Sequence, residues 1–243
     1  ELSAVPYIPA VENVAQHAYN LCSAEIDGLM LGWTLGGHPS PNLEVFAEMG
    51  RAEEPEVEEV MLRVARRRYG DAAAAAVVEA WGACSAAFRE FPYHGGLLYN
   101  APLQVGPANP LWPEPTGYAS TMVGIPYDHL DGWRAVFPPD VFVAQFRKIA
   151  DGFEAALTKL RAATADVPAS PEHAAALADE MRIAEACAIH FRSVSNQARF
   201  VLARRALDAA EGGDARGVAM KELKAVLQSE IALAARQHTR SEE

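Results

Sequence analysis

Ile26-Asp-Gly-Leu-Met-Leu-Gly-Trp-Thr34 is a near-continuous apolar run of strand length with a helical pattern on either side of it. A strand covered on both faces in a parallel sheet has this texture, whereas a half-exposed strand alternates apolar and polar residues. On its N-terminal side, Val11, Val14, Ala18 and Leu21 recur at helical spacing within residues 10–25, and residues 2–9 read as a shorter strand ended by Pro6 and Pro9. On its C-terminal side, Ser40 and Pro41 supply an N-cap and a first-turn proline for a helix over 41–50. Strand, helix, strand, helix is the βα alternation of a parallel sheet.

Farther along, the pattern is helical. Pro55 opens a helix to Tyr69, Asp71 caps one to about Phe91, and Pro92 stops it. Residues 92–138 hold 8 of the 16 prolines and 7 of the 20 Phe, Tyr and Trp residues. That is too aromatic for a disordered linker, so an ordered loop region packed on the body is expected. After Pro138-Pro139, the residues Phe142, Phe146, Ile149, Phe153, Leu157 and Leu160 form one apolar stripe. A long helix follows Ser170-Pro171 and ends near Gly212-Gly213, apolar along Leu177/Met181/Ala184/Ala188 and along Ile183/Cys187/Val194/Val201, as at the centre of a bundle. The last helix runs from Asp214 to about Arg240, with Leu223, Leu227, Ile231 and Ala234 expected inward. The predicted fold is mainly α, a helical bundle with a short βαβ remnant at the N-terminus, in three parts: 1–50, 51–138 and 139–243.

A chain of 243 residues, 50% apolar and 22% charged, can bury a substantial core and is not disordered overall. Its net charge of −11 repels phosphate backbones, and the basic run Arg66-Arg67-Arg68 sits on an acidic helix, so no nucleic-acid partner is expected. No apolar run approaches the ~18–20 residues that span a bilayer, so no membrane partner is expected. The compartment stays open, with the cytoplasm slightly favoured. Cys22, Cys84 and Cys187 are odd in number and far apart, which fits neither a disulfide framework nor a zinc site; three buried thiols are expected. The chain has no P-loop, dinucleotide-binding glycine fingerprint, His-Glu-x-x-His, Gly-x-Ser-x-Gly or Glu-x-x-His pair, so neither metal nor cofactor is expected.

If the 26–34 strand belongs to a parallel barrel, its carboxyl end is the ligand face, and Trp33, Thr34, His38, Asn42 and Glu44 lie near a substrate. Trp33 then offers an apolar platform for a sugar ring. The packing alternative, with Trp33 in the core and Ser40-Pro41 only a cap, fits equally well. The loop from Phe91 to Trp112 carries Tyr99, Asn100 and Trp112, groups suited to neutral polyols or to anchoring the loop itself. Asp128 and Asp131 form either a carboxylate pair or, the favoured reading before a helix, backbone-bonding turn residues. His190, beside Cys187 and Val194 on an apolar face, reads as a satisfied core histidine.

Ser3-Ala-Val-Pro-Tyr-Ile-Pro9, Asp27-Gly-Leu-Met-Leu-Gly-Trp-Thr-Leu-Gly-Gly-His-Pro-Ser-Pro-Asn-Leu-Glu44, Tyr99-Asn-Ala-Pro-Leu-Gln-Val-Gly-Pro-Ala-Asn109 and Ile189-His-Phe-Arg-Ser-Val-Ser-Asn-Gln197 together resemble the C-terminal half of large bacterial glycoside-hydrolase-like proteins. These are related to the family 20 hexosaminidases and carry a (β/α)8 barrel followed by a helical region. The resemblance implies that residues 1–50 are the last barrel units and that the remainder of the barrel lies upstream in the same protein. It implies a carbohydrate ligand, with Tyr7, Trp33, His38, Glu44, Tyr99, Asn100 and Trp112 as candidate substrate-binding residues. Glycosidases commonly need two carboxylates about 5–10 Å apart. The resembling proteins place theirs on middle barrel strands, so no catalytic residue is assigned in this chain. The expected function is that of the C-terminal portion of a carbohydrate-active, glycoside-hydrolase-like protein, supplying part of the sugar pocket and a helical support. The alternative is a helical binding or interaction domain without chemistry of its own.

Overall fold

The computed structural model describes residues 5–24, 26, 28–30, 38–51, 56–98, 101–118 and 128–241. The elements in chain order are α1 (Val11–Cys22), α2 (Pro41–Met49), α3 (Val57–Tyr69), α4 (Asp71–Phe88), α5 (Ala101–Val105) followed by a 3₁₀ turn (Gly106–Ala108), α6 (Leu130–Trp133), α7 (Pro139–Thr164), α8 (Pro171–Asp208) and α9 (Gly213–Ser241). The protein is mainly helical, as expected.

Local signals explain several boundaries. Ser40 Oγ accepts the Leu43 N–H at 3.4 Å with Pro41 in the first turn of α2. Ser170 Oγ caps α8 in the same way, at 3.2 Å from the His173 nitrogen. Gly70 separates α3 from α4 at φ 83°, where a Cβ would fall 2.9 Å from His173 Nδ1. A side chain is excluded there by both backbone conformation and space.

The βαβ remnant is not formed among the described residues, which contain no strand. Residues 5–10 are irregular although mostly buried, and residues 28–30 are irregular with Met30 94% exposed. A strand needs a neighbouring strand to pair its backbone groups, and none occurs among the described residues; in the 5–10 segment the Ile8 carbonyl instead accepts from the Asn42 side chain and the Ala10 N–H. The remainder of that apolar run, 31–37, lies outside the described residues.

Two compact units divide the chain. The first comprises mainly Pro6–Arg89 and Gly152–Glu185, the second Glu90–Asp151 and Ala186–Glu243. In the first, Val11, Ala15 and Ala18 of α1, Val45 and Met49 of α2, Val60 and Val64 of α3, and Val77 and Trp81 of α4 share one core with Leu160 and Leu177. In the second, aromatic rings dominate: Phe146 lies 4.8 Å from Phe142, 5.5 Å from Phe91 and 6.2 Å from Phe191, centroid to centroid. The whole predicted stripe of α7, Phe142 to Leu160, is buried.

Two readings are corrected at this level. In α9, Ala219, Val226 and Leu233 face inward, while Leu227 and Ile231 are exposed. This helix carries two apolar stripes, and the inward one is accompanied by Glu230, whose carboxylate accepts from Ser193 (2.8 Å) and Asn196 (2.7 Å) of α8. Cys22 is exposed, its thiol 3.8 Å from the Met49 carbonyl, whereas Cys84 and Cys187 are buried as expected.

Candidate functional site

In the first unit, Tyr7 is buried, and its hydroxyl donates to Glu180 Oε2. Tyr69 also donates to Oε2, at 2.8 Å, and Trp81 Nε1 donates to Oε1 at 2.7 Å. Glu180 is only 3% exposed. Burial first, and then the Glu180 charge, push both phenols far above the usual tyrosine range, and the same two effects push the Cys84 thiol up to about 12. These groups stay neutral and lock the irregular segment 5–10 onto the helices. Tyr7 is therefore an anchor rather than part of an open pocket.

His38 is exposed, with its ring centroid 5.5 Å from that of Tyr7. Asn42 Nδ2 donates to the Ile8 carbonyl at 2.8 Å. Glu44 accepts from Arg67 at 2.8 Å and from Arg68. Partial burial would raise its carboxyl, but the hydrogen bonds from the two guanidiniums outweigh it and hold the group below the usual range. Glu44 is thus committed to an ion-pair cluster. Trp33, Tyr99 and Asn100 lie outside the described residues.

The candidate site lies in the second unit. A cavity of about 190 Å³ is lined by Pro115, Gly117, Asp128, His129, Arg204, Arg205 and Asp208. Arg204 Nη1 donates to the Trp112 carbonyl at 2.6 Å, and the Trp112 and Tyr118 rings meet edge to face at 5.7 Å. Asp128 Oδ2 accepts the Thr116 N–H at 2.8 Å, the backbone-bonding role expected of it. Asp131 instead pairs with Arg134 (3.0 Å) and Arg205 (2.8 Å), whose hydrogen bonds hold its carboxyl below the usual range.

Of the residues singled out in the sequence, Asp128 lines this cavity and Trp112 is linked to it through the hydrogen bond of its carbonyl to Arg204; Tyr7, His38 and Glu44 belong to the first unit. Arg204, Arg205, His129 and Asp208 were missed. A signal for Arg204 exists in the sequence: His190, Val194, Gln197, Val201 and Arg204 follow at helical spacing, so the arginine occupies a core position of α8. His190 is in the core as expected, only 2% exposed, but neither ring nitrogen has a hydrogen-bond partner. Burial lowers its pKa to about 4, so the ring is neutral at pH 7.

Among the described residues no group of three or more His, Cys, Asp or Glu side chains is arranged to hold a metal ion, and no helix is long and apolar enough to cross a membrane. Compared with protein-family models, curated proteins and solved structures, the chain matches none of them.

Proposed function

We propose that this chain is the carbohydrate-binding helical portion of a glycoside-hydrolase-like protein, with the cavity of the second unit as a sugar subsite. The observation that supports this reading is the convergence of Asp128, His129, Arg204, Arg205 and Asp208 on one cavity beside the Trp112–Tyr118 ring pair. Carboxylates accept hydroxyl protons, guanidinium and imidazole groups donate, and aromatic rings cover the apolar face of a pyranose. The cavity exceeds the ~10–15 Å³ one water needs and is smaller than the ~300–1,000 Å³ of drug-sized sites, a size that suits a single sugar unit. No catalytic pair is assigned to it.

Titration of the full chain with monosaccharides, followed by ligand-observed NMR, tests this. Binding is expected, weakened by about 1–3 kcal/mol in Trp112→Ala and in His129→Ala. Because Arg204 is held by the backbone carbonyl of residue 112, the first variant keeps that contact. Absence of saccharide binding to the wild-type chain overturns the proposal.

The alternative of a protein-interaction domain has one observation in its favour: Met220, Leu227 and Ile231 form an exposed apolar row on α9.

A further inference from the structure

We infer that the cavity of the second unit recognises the carboxylate of an acidic sugar, so that its ligand is a hexuronate-like unit rather than a neutral one. The inference rests on the carbohydrate reading above and specifies the class of sugar.

The argument starts at Arg204. Its side chain is 7% exposed, because α8 places it on the inward stripe. Nη1 is taken up by the Trp112 carbonyl at 2.6 Å. The Asp128 Oδ2 atom lies 3.8 Å from Nη1, beyond hydrogen-bond distance, and that oxygen already accepts the Thr116 N–H. Among the described residues, Nε and Nη2 donate to nothing. Asp128 is thus a counter-ion of Arg204 that takes no hydrogen bond from it, whereas Asp131 both pairs with Arg205 and accepts from it at 2.8 Å. The cavity therefore borders a guanidinium that is mostly enclosed and ion-paired with Asp128, with an edge whose donors remain open to a ligand. A carboxylate fits that edge through two parallel N–H···O bonds, a geometry that lysine cannot offer.

The remaining lining selects among anions. Asp128 and Asp208 share the cavity with Arg204. They repel a phosphate monoester, which carries about −1.5 to −2 at pH 7, more strongly than a carboxylate carrying one charge. The same two carboxylates accept hydrogen bonds from ring hydroxyls, so one face of the ligand must donate while another presents an anion. A hexuronate has both faces.

Calorimetric titration of the full chain with glucuronate and galacturonate, with their neutral parents glucose and galactose, and with glucose 6-phosphate separates the possibilities. At least one uronate is expected to bind about tenfold or more tightly than its neutral parent. Arg204→Gln should erase that preference, with circular dichroism monitoring the fold. Should that variant fail to fold, Asp208→Asn, at the exposed end of α8, decides: it removes a hydroxyl acceptor for both sugars but a repelling charge for the uronate alone, so the ratio of uronate to neutral-sugar affinity should rise roughly two- to fivefold, and an unchanged ratio overturns the inference. Equal binding of uronate and parent overturns the inference and leaves the carbohydrate reading standing. Binding of no sugar overturns both. Tighter binding of glucose 6-phosphate than of either uronate overturns the carboxylate assignment.

Discussion

At Glu180 a buried carboxylate is held by three neutral donors, two phenols and an indole. The donors differ in what they tolerate: a tyrosine hydroxyl can turn and accept, whereas an indole N–H can only donate. Glu180→Gln can keep its carbonyl oxygen on Trp81 and offer its amide to the two tyrosines, and should cost about 1–2 kcal/mol. Glu180→Ala leaves all three donors unsatisfied and should cost roughly 3–5 kcal/mol. Chemical denaturation of the two variants measures the difference, and equal losses would show that the charge, not the acceptor geometry, holds the cluster. Arg204 is the opposite case, a buried donor whose Nη1 is taken up by the Trp112 carbonyl while the rest of its guanidinium borders the cavity.

At the element scale, close helix approach depends on single residues. A Cβ at Gly152 of α7 would collide with the Ala87 side chain of α4, and the same turn of α7 buries Phe153. Two helices in such contact have no flexible side chain to move aside, so Gly152→Ala should destabilise the protein by about 1–3 kcal/mol although alanine is the better helix former. A thermal melt checks this; a rise in Tm would show that the helices separate at little cost. α9 carries two apolar stripes; the one with Ala219, Val226 and Leu233 is inward, and the same rotation delivers Glu230 to Ser193 and Asn196 of α8. Burial raises the Glu230 carboxyl, and those hydrogen bonds offset part of the rise.

For the molecule as a whole, stability should fall on acidification, with His190 contributing. Its folded-state pKa of about 4 lies below the ordinary value of 6.5, so the unfolded chain binds a proton that the folded chain refuses. The contribution is complete above pH 6.5, shrinks as pH falls towards 4, and amounts to roughly 3 kcal/mol across that window. Unfolding free energies between pH 7 and 4 should decline less steeply in His190→Gln than in wild type, the difference isolating this group from the acidic residues. Parallel curves would mean that the imidazole is already solvated in the folded state. A Cβ at Gly106 would sit 2.5 Å from His190 Nδ1, and that tight cradle gives the ring no room to turn towards water.

The sequence by itself determined the helical character and most boundaries, because caps, prolines and apolar periodicity act within a few residues of where they are read: Ser40-Pro41, Ser170-Pro171 and the Phe142–Leu160 stripe are examples. It also marked Trp112 as a site candidate. Tertiary structure decided what depends on partners distant in the chain. Residues 28–30 have strand composition, but no strand occurs among the described residues and they are irregular; Tyr7 suits a sugar pocket, but Glu180, 173 positions away, claims its hydroxyl. Asp128 and Arg204 carry opposite charges, yet only their placement 3.8 Å apart, with Trp112 and Thr116 taking one bond from each side, leaves an arginine edge open to a cavity. Periodicity shows that a residue is buried, but whether its polar atoms are satisfied is settled by what the rest of the fold brings within about 3 Å of it.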